Sequence, residues 1–179
     1  MAITDAKTKL IYELSDIYDA ERQFLQGMRQ ALDQADSQEL RAGIQEHMSQ
    51  TEQQIGNLEQ VFSLMGETPL QISCDSARGL VAEAQKGMEE TQDNTLRDGM
   101  IAGGLCKVEH YEIASYRALI VGLEQMGLED AAQLLRQNLQ QEEETAGKLE
   151  DLIQGMARQL SGDVQGPMAH GTDTPPPTI

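Results

Sequence analysis

The sequence predicts an all-α protein: four long helices paired as two antiparallel hairpins, with a shorter extra helix in a long crossover between them. Three observations carry this. Apolar residues recur at the three- and four-residue spacing of one helical face through four long stretches. The composition is rich in Ala, Leu, Gln and Glu, with no Trp and only 3% aromatic residues, a balance typical of helical proteins. Turn signals fall where hairpins and a crossover need them, at Ser37, between Gly66 and Cys74, and at Gly127.

The first helix is expected from about Thr4 to Gln34, on a stripe of Leu10, Leu14, Ile17, Tyr18, Leu25, Met28 and Leu32. Ser37 is placed to cap the second, whose stripe of Leu40, Ile44, Met48, Ile55, Leu58, Phe62 and Met65 ends at Gly66. The join is short, so these two pack antiparallel. From Glu67 to Asn94 the pattern weakens into a crossover: Pro69 and Cys74 lie in a loop, and Ala77 to Glu90 forms the shorter helix. The third long helix runs from about Thr95 to Met126 on Ile101, Leu105, Val108, Ile113, Tyr116, Ile120 and Leu123, in spite of Gly103 and Gly104. Gly127 ends it, and the fourth runs from about Leu128 to Leu160 with Leu135, Leu149, Ile153 and Met156 inward. Two hairpins joined by a long crossover match the ferritin-like topology of the four-helix bundle. The bundle is expected over residues 1–160, and residues 161–179, rich in Gly, Pro, Ser and Thr, as a flexible tail whose His170 is an exposed histidine.

At 179 residues the chain suits one domain with a full core. Its net charge of −17, with no concentration of Lys or Arg, argues against nucleic acid as a partner and for a surface that attracts cations. No segment approaches the roughly 18 uninterrupted apolar residues of a membrane span, and the N-terminus lacks the pattern of a secretory signal. A cytoplasmic protein without membrane contact is expected. Cys74 and Cys106 stand apart without CxxC spacing, which fits two reduced thiols and excludes a zinc ribbon or rubredoxin-type domain.

Inside the apolar stripes stand carboxylates where a helix normally carries Leu or Ile. At about 100° per residue, Glu21 lies between Ile17, Leu25 and Met28, and Glu142 between Leu135, Leu149 and Ile153. Glu112 falls within the third long stripe and Glu109 near its edge, an i, i+3 pair able to address one site. On the second helix the inward polar residues are His47 and Thr51. Counting from the turns at 1.5 Å per residue, Glu21 and His47 stand within roughly 3 Å of one height, and Glu112 and Glu142 are level to within a turn. An ionised carboxylate out of water costs several kcal/mol unless paired, so such a set facing one core predicts a bound cation. Iron or manganese takes carboxylate oxygen and imidazole nitrogen, and the predicted ligands are Glu21, His47, Glu109, Glu112 and Glu142, for one or two ions per chain. The alternative is a buried polar network bonded to Tyr, Gln and Thr. Tyr18 and Tyr116, each a turn from a carboxylate, are placed to bond to the ligands or pack beside them. His110 and Glu52 lie off their stripes and are expected in solvent.

The segments YDAERQ at 18–23, HMSQTEQQIGNLEQVF at 47–62, KVEHYEIASY at 107–116 and LLRQNLQQEEETAGKL at 134–149 carry a resemblance. With the loop from Cys74 to Leu80 they resemble a bacterial family of stress-associated ferritin-like proteins typified by YciE and YciF. The resemblance implies a ferritin-like bundle, a homodimer, and distant kinship to rubrerythrins and manganese catalases. The chain departs from the family pattern where Gln50 replaces a glutamate and Ala146 an acidic residue. Two functions are therefore expected in competition. One is a non-heme di-iron or manganese protein acting on oxygen or peroxide in stress; the other is a non-enzymatic helical stress or interaction protein with a degenerate metal site.

Overall fold

The computed structural model describes residues 2–164, which form five helices and no strand. Helix α1 spans Ala6–Gln34, α2 Gln38–Met65, α3 Asp75–Glu90, α4 Asn94–Gln125 and α5 Glu129–Val164. The all-α bundle of two long hairpins with a crossover helix is thus the observed architecture.

Local chemistry sets the boundaries. The Asp5 carboxylate accepts from the Thr8 N–H at 2.8 Å, so α1 starts at Ala6 and not at Thr4. Ser37 caps α2, and Gly66 ends it in the left-handed region at φ 66°, where a Cβ would be strained. Gly127, at φ 73°, makes the α4–α5 turn in the same way. Cys74 caps α3 through its sulfur, which accepts from the Ala77 N–H at 3.5 Å, and the helix begins two residues before the expected Ala77. At the far end α5 continues to Val164, four residues past the expected end at Leu160. The rest of the expected tail, His170 included, lies outside the described residues.

The crossover is tied to α1 by hydrogen bonds. The Asp19 carboxylate accepts from the Cys74 N–H at 2.8 Å, and Ser15 Oγ accepts from the Leu70 N–H at 3.0 Å. Helix α3 then lies against α1 and α4 where both carry glycine. A Cβ at Gly27 would stand 3.2 Å from Val81 Cγ2, and one at Gly104 3.2 Å from Ala84 Cβ, so these glycines admit the close approach. At the α1–α2 turn the buried Asp98 carboxylate accepts from the Asp36 and Ser37 N–H groups at 2.9 and 2.7 Å, closing the first hairpin onto α4.

Two apolar clusters fill the bundle. One gathers Leu10, Leu14, Ile17, Leu58, Phe62, Leu119, Leu123 and Leu135 near the Gly66 and Gly127 ends. The other gathers Met28, Ala31, Leu40, Ile44, Ile101, Leu105 and Leu149 near the α1–α2 turn. Between them, on α1, α2, α4 and α5, sits a layer of buried polar side chains: Glu21, His47, Thr51, Gln54, Glu109, Glu112, Asn138 and Glu142.

Candidate metal centre

The polar layer arises because each long helix interrupts its apolar stripe at the same height. On α2 the interruption runs His47, Thr51, Gln54, all inward at helical spacing. On α4 it is Glu109 and Glu112, and on α5 Asn138 and Glu142. Glu109, expected near the edge of its stripe, is fully buried, because α5 packs along that side of α4. Of the Glu142-Glu143-Glu144 run one carboxylate turns inward and two face water, Glu143 pairing with Arg117 at 2.6 Å.

One nitrogen of His47 and one oxygen each of Glu109, Glu112 and Glu142 lie within 4.8 Å of one another. His47 Nε2 stands 3.3 Å from Glu109 Oε1 and 3.8 Å from Glu142 Oε2. Glu21 is buried beside them but outside this group of four. Its Oε1 accepts from the Tyr116 hydroxyl, and its carboxyl adjoins Glu112. Asn138 steadies Tyr116, donating to its hydroxyl at 3.0 Å, and in turn accepts from Asn57 at 2.7 Å.

Burial dominates the electrostatics. It raises the pKa values of Glu21, Glu109, Glu112 and Glu142 above the ordinary carboxylate range, and the like charges around Glu21, Glu109 and Glu112 raise theirs further. Packed this closely and away from water, the four carboxyls favour protonated forms over a set of bare charges. Burial also pushes His47 down to about 4, which leaves a neutral imidazole able to offer a nitrogen lone pair at physiological pH. Tyr116 is held firmly as the neutral phenol by burial and by the surrounding carboxylates.

Protein groups alone leave this layer under-bonded. Both ring nitrogens of His47, both oxygens of Glu109 and of Glu142, and one oxygen each of Glu21 and Glu112 are buried without a hydrogen-bond partner in the protein. Each such group costs about 1–3 kcal/mol, and native interiors contain few. A polar network bonded to Tyr, Gln and Thr would have closed these valences; only Glu21 finds such a hydroxyl, at Tyr116. A cation with oxygen and nitrogen ligands satisfies them, so the donor set fits iron or manganese.

The structure separates other residues from the centre. Tyr18 is half-buried and its hydroxyl donates to the exposed Glu59 at 2.8 Å, away from the layer. Glu52 is exposed and lies 3.6 Å from Arg29. Asn138 and Gln54 were not singled out from sequence, although each sits at helical spacing from a predicted ligand, four residues before Glu142 and seven after His47. Gln50 faces the wall of α5, accepting from Thr145 Oγ1 at 3.2 Å. An open cavity of about 330 Å3 between α2 and α5, lined by Ile44, His47, Gln50, Leu105, Thr145 and Leu149, reaches His47 from the surface.

Residues 5–161 match the family described as a domain of unknown function, DUF892. The chain is 37% identical to the protein YciF of Escherichia coli K12 over 145 residues, 79% of this chain and 86% of that protein. The crystal structure of the E. coli stress protein YciF superposes with a TM-score of 0.84 at 32% identity, covering 87% of this chain and 99% of that one. YcfI from Rhodopseudomonas palustris superposes with a TM-score of 0.80 at 35% identity, covering 83% and 94%. Among the described residues no helix is long and apolar enough to cross a membrane.

Proposed function

The chain belongs to the DUF892 family, and on that footing we propose that it is a ferritin-like non-heme metal-binding protein of the stress response, taking iron or manganese at the polar layer. One observation carries the reading: the unpaired buried nitrogens and oxygens on α2, α4 and α5 converge on a single point. His47, Glu109, Glu112 and Glu142 would hold an ion. Glu21, beside Glu112 and with Oε2 unpaired, is the residue available to a second. Bound there, the metal would supply one-electron redox chemistry and a coordination position open to oxygen or peroxide.

The chain's own groups prepare that position. A cation favours the ionised carboxylates, whose pKa values burial raises, so uptake releases protons and strengthens as pH rises. His47 is already neutral and binds without losing a proton. Tyr116, anchored by Asn138, fixes the orientation of Glu21 through its hydroxyl. The cavity at His47 is lined by Ile44, Leu105 and Leu149 together with the charged Glu39, Glu46 and Lys148, a passage for small molecules and ions, while the apolar clusters close the layer above and below.

A second reading is favoured by Gln50, which bonds Thr145 on the cavity wall instead of offering a carboxylate. It is a non-enzymatic helical stress protein whose site binds metal weakly or not at all. Anaerobic loading with iron(II), followed by oxygen or peroxide consumption, decides between them. Consumption well above that of a Glu112→Ala variant supports the redox reading. A parent no faster than that variant favours the second.

A further inference from the structure

We propose that Cys106, His110 and Glu150 form a second cation site, open to solvent and selective for a borderline divalent ion of the zinc class. Cys106 and His110 are four residues apart on α4, so they project from one face one turn apart. Glu150 comes from α5, which runs antiparallel beside it. One ligand atom of each lies within 4.8 Å of the others. His110 Nε2 and Glu150 Oε1 are 3.1 Å apart. Two ligands at about 2.0–2.1 Å from a tetrahedral zinc stand roughly 3.3 Å apart, so the nitrogen and oxygen are close to ligand spacing already.

An exposed His–Glu ion pair would explain two of these residues, and such pairs contribute only about 0–1 kcal/mol. It does not call for the half-buried free thiol of Cys106 beside them. The neighbouring Lys107 turns away to pair with Glu83 on α3, so no ammonium competes there. The ligand set also differs in kind from the buried centre. Sulfur, nitrogen and one oxygen favour zinc-class ions, whereas the carboxylate-rich layer favours iron or manganese. Binding converts the Cys106 thiol to a thiolate, the proton leaving to solvent, and water completes the coordination.

Cobalt(II) titration of the full chain tests this, because cobalt bound to a thiolate gives a sulfur-to-metal charge-transfer band in the near ultraviolet that the buried oxygen and nitrogen ligands do not produce. The expected result is a band that saturates at one ion per chain, is displaced by zinc, and is absent in Cys106→Ser. Glu150→Gln should weaken binding by about tenfold or more. The band should persist in folded Glu112→Ala protein, which separates this site from the buried one. No band in the parent, an undiminished band in Cys106→Ser, or a band appearing only near about 1 mM cobalt would overturn the proposal.

Discussion

Leu14 and Glu21 stand two turns apart on one face of α1, and both are fully buried, yet their surroundings are opposite. Leu14 lies within an apolar cluster, and its burial there favours the folded state. Glu21 lies among three other carboxylates and a neutral imidazole, in a layer whose valences the protein leaves open. The ends of the bundle therefore supply stability, and the middle gives some of it up to keep a binding site preformed. The long helices, continuous through both regions, hold the layer in place without requiring it to be stable by itself.

The sharpest contrast should come from truncation. Leu14→Ala should destabilise the metal-free protein by about 2–5 kcal/mol, read as a fall in Tm or denaturation midpoint. In the middle the sign should invert. Glu109→Leu removes a buried carboxyl with both oxygens unpaired, and should raise metal-free stability by up to about 4 kcal/mol while abolishing metal uptake. A fall in stability there comparable to Leu14→Ala would erase the distinction.

The pH dependence follows from the same layer. The carboxyl pKa values are raised on folding, so their contribution is full below about 4.5 and is lost as pH rises through the raised values. His47 is depressed to about 4, so its contribution is full above 6.5 and is lost as pH falls toward 4. From about pH 9 down to about pH 7.5, where His47 is largely neutral in both states, the carboxyl effect dominates. The metal-free protein should become more stable on that descent, by about 1.4 kcal/mol per pH unit for each proton the folded state retains. Thermal melts across that range check it, and the loaded protein should lose metal in the same direction. The smallest effect is expected from Tyr116→Phe, which removes the hydroxyl bonded to Glu21 and Asn138. It should weaken metal binding by about tenfold, measured by competition with a chelator, with little change in helix content.

The long helices were legible because their caps are local signals: Ser37, Gly66 and Gly127 mark boundaries whatever packs against them. The start of α3 was less so, because a cysteine sulfur is an unusual cap, and the last turn of α5 runs through a Ser-Gly pair that reads as loop. Periodicity within each helix placed Glu21, His47, Glu112 and Glu142 inward, and counting from the turns levelled Glu21 with His47 and Glu112 with Glu142. It could not fix lateral position between helices. That is why Glu21 falls beside the group of four and not within it, and why Glu109, expected near the edge of its stripe, proves fully covered by α5. The convergence of His110, Cys106 and Glu150, and the support of Tyr116 by Asn138, depend on the register of α4 against α5, which no single stripe encodes.

The most direct test is the metal content per chain of protein grown with both iron and manganese and purified without chelator, set beside Glu112→Ala and Glu52→Ala. A cation held by the buried layer requires at least one iron or manganese in the parent, the same in Glu52→Ala, whose carboxylate is exposed, and its loss in Glu112→Ala. A parent with none above background even after anaerobic reconstitution, or a Glu112→Ala variant that binds like the parent, would contradict it.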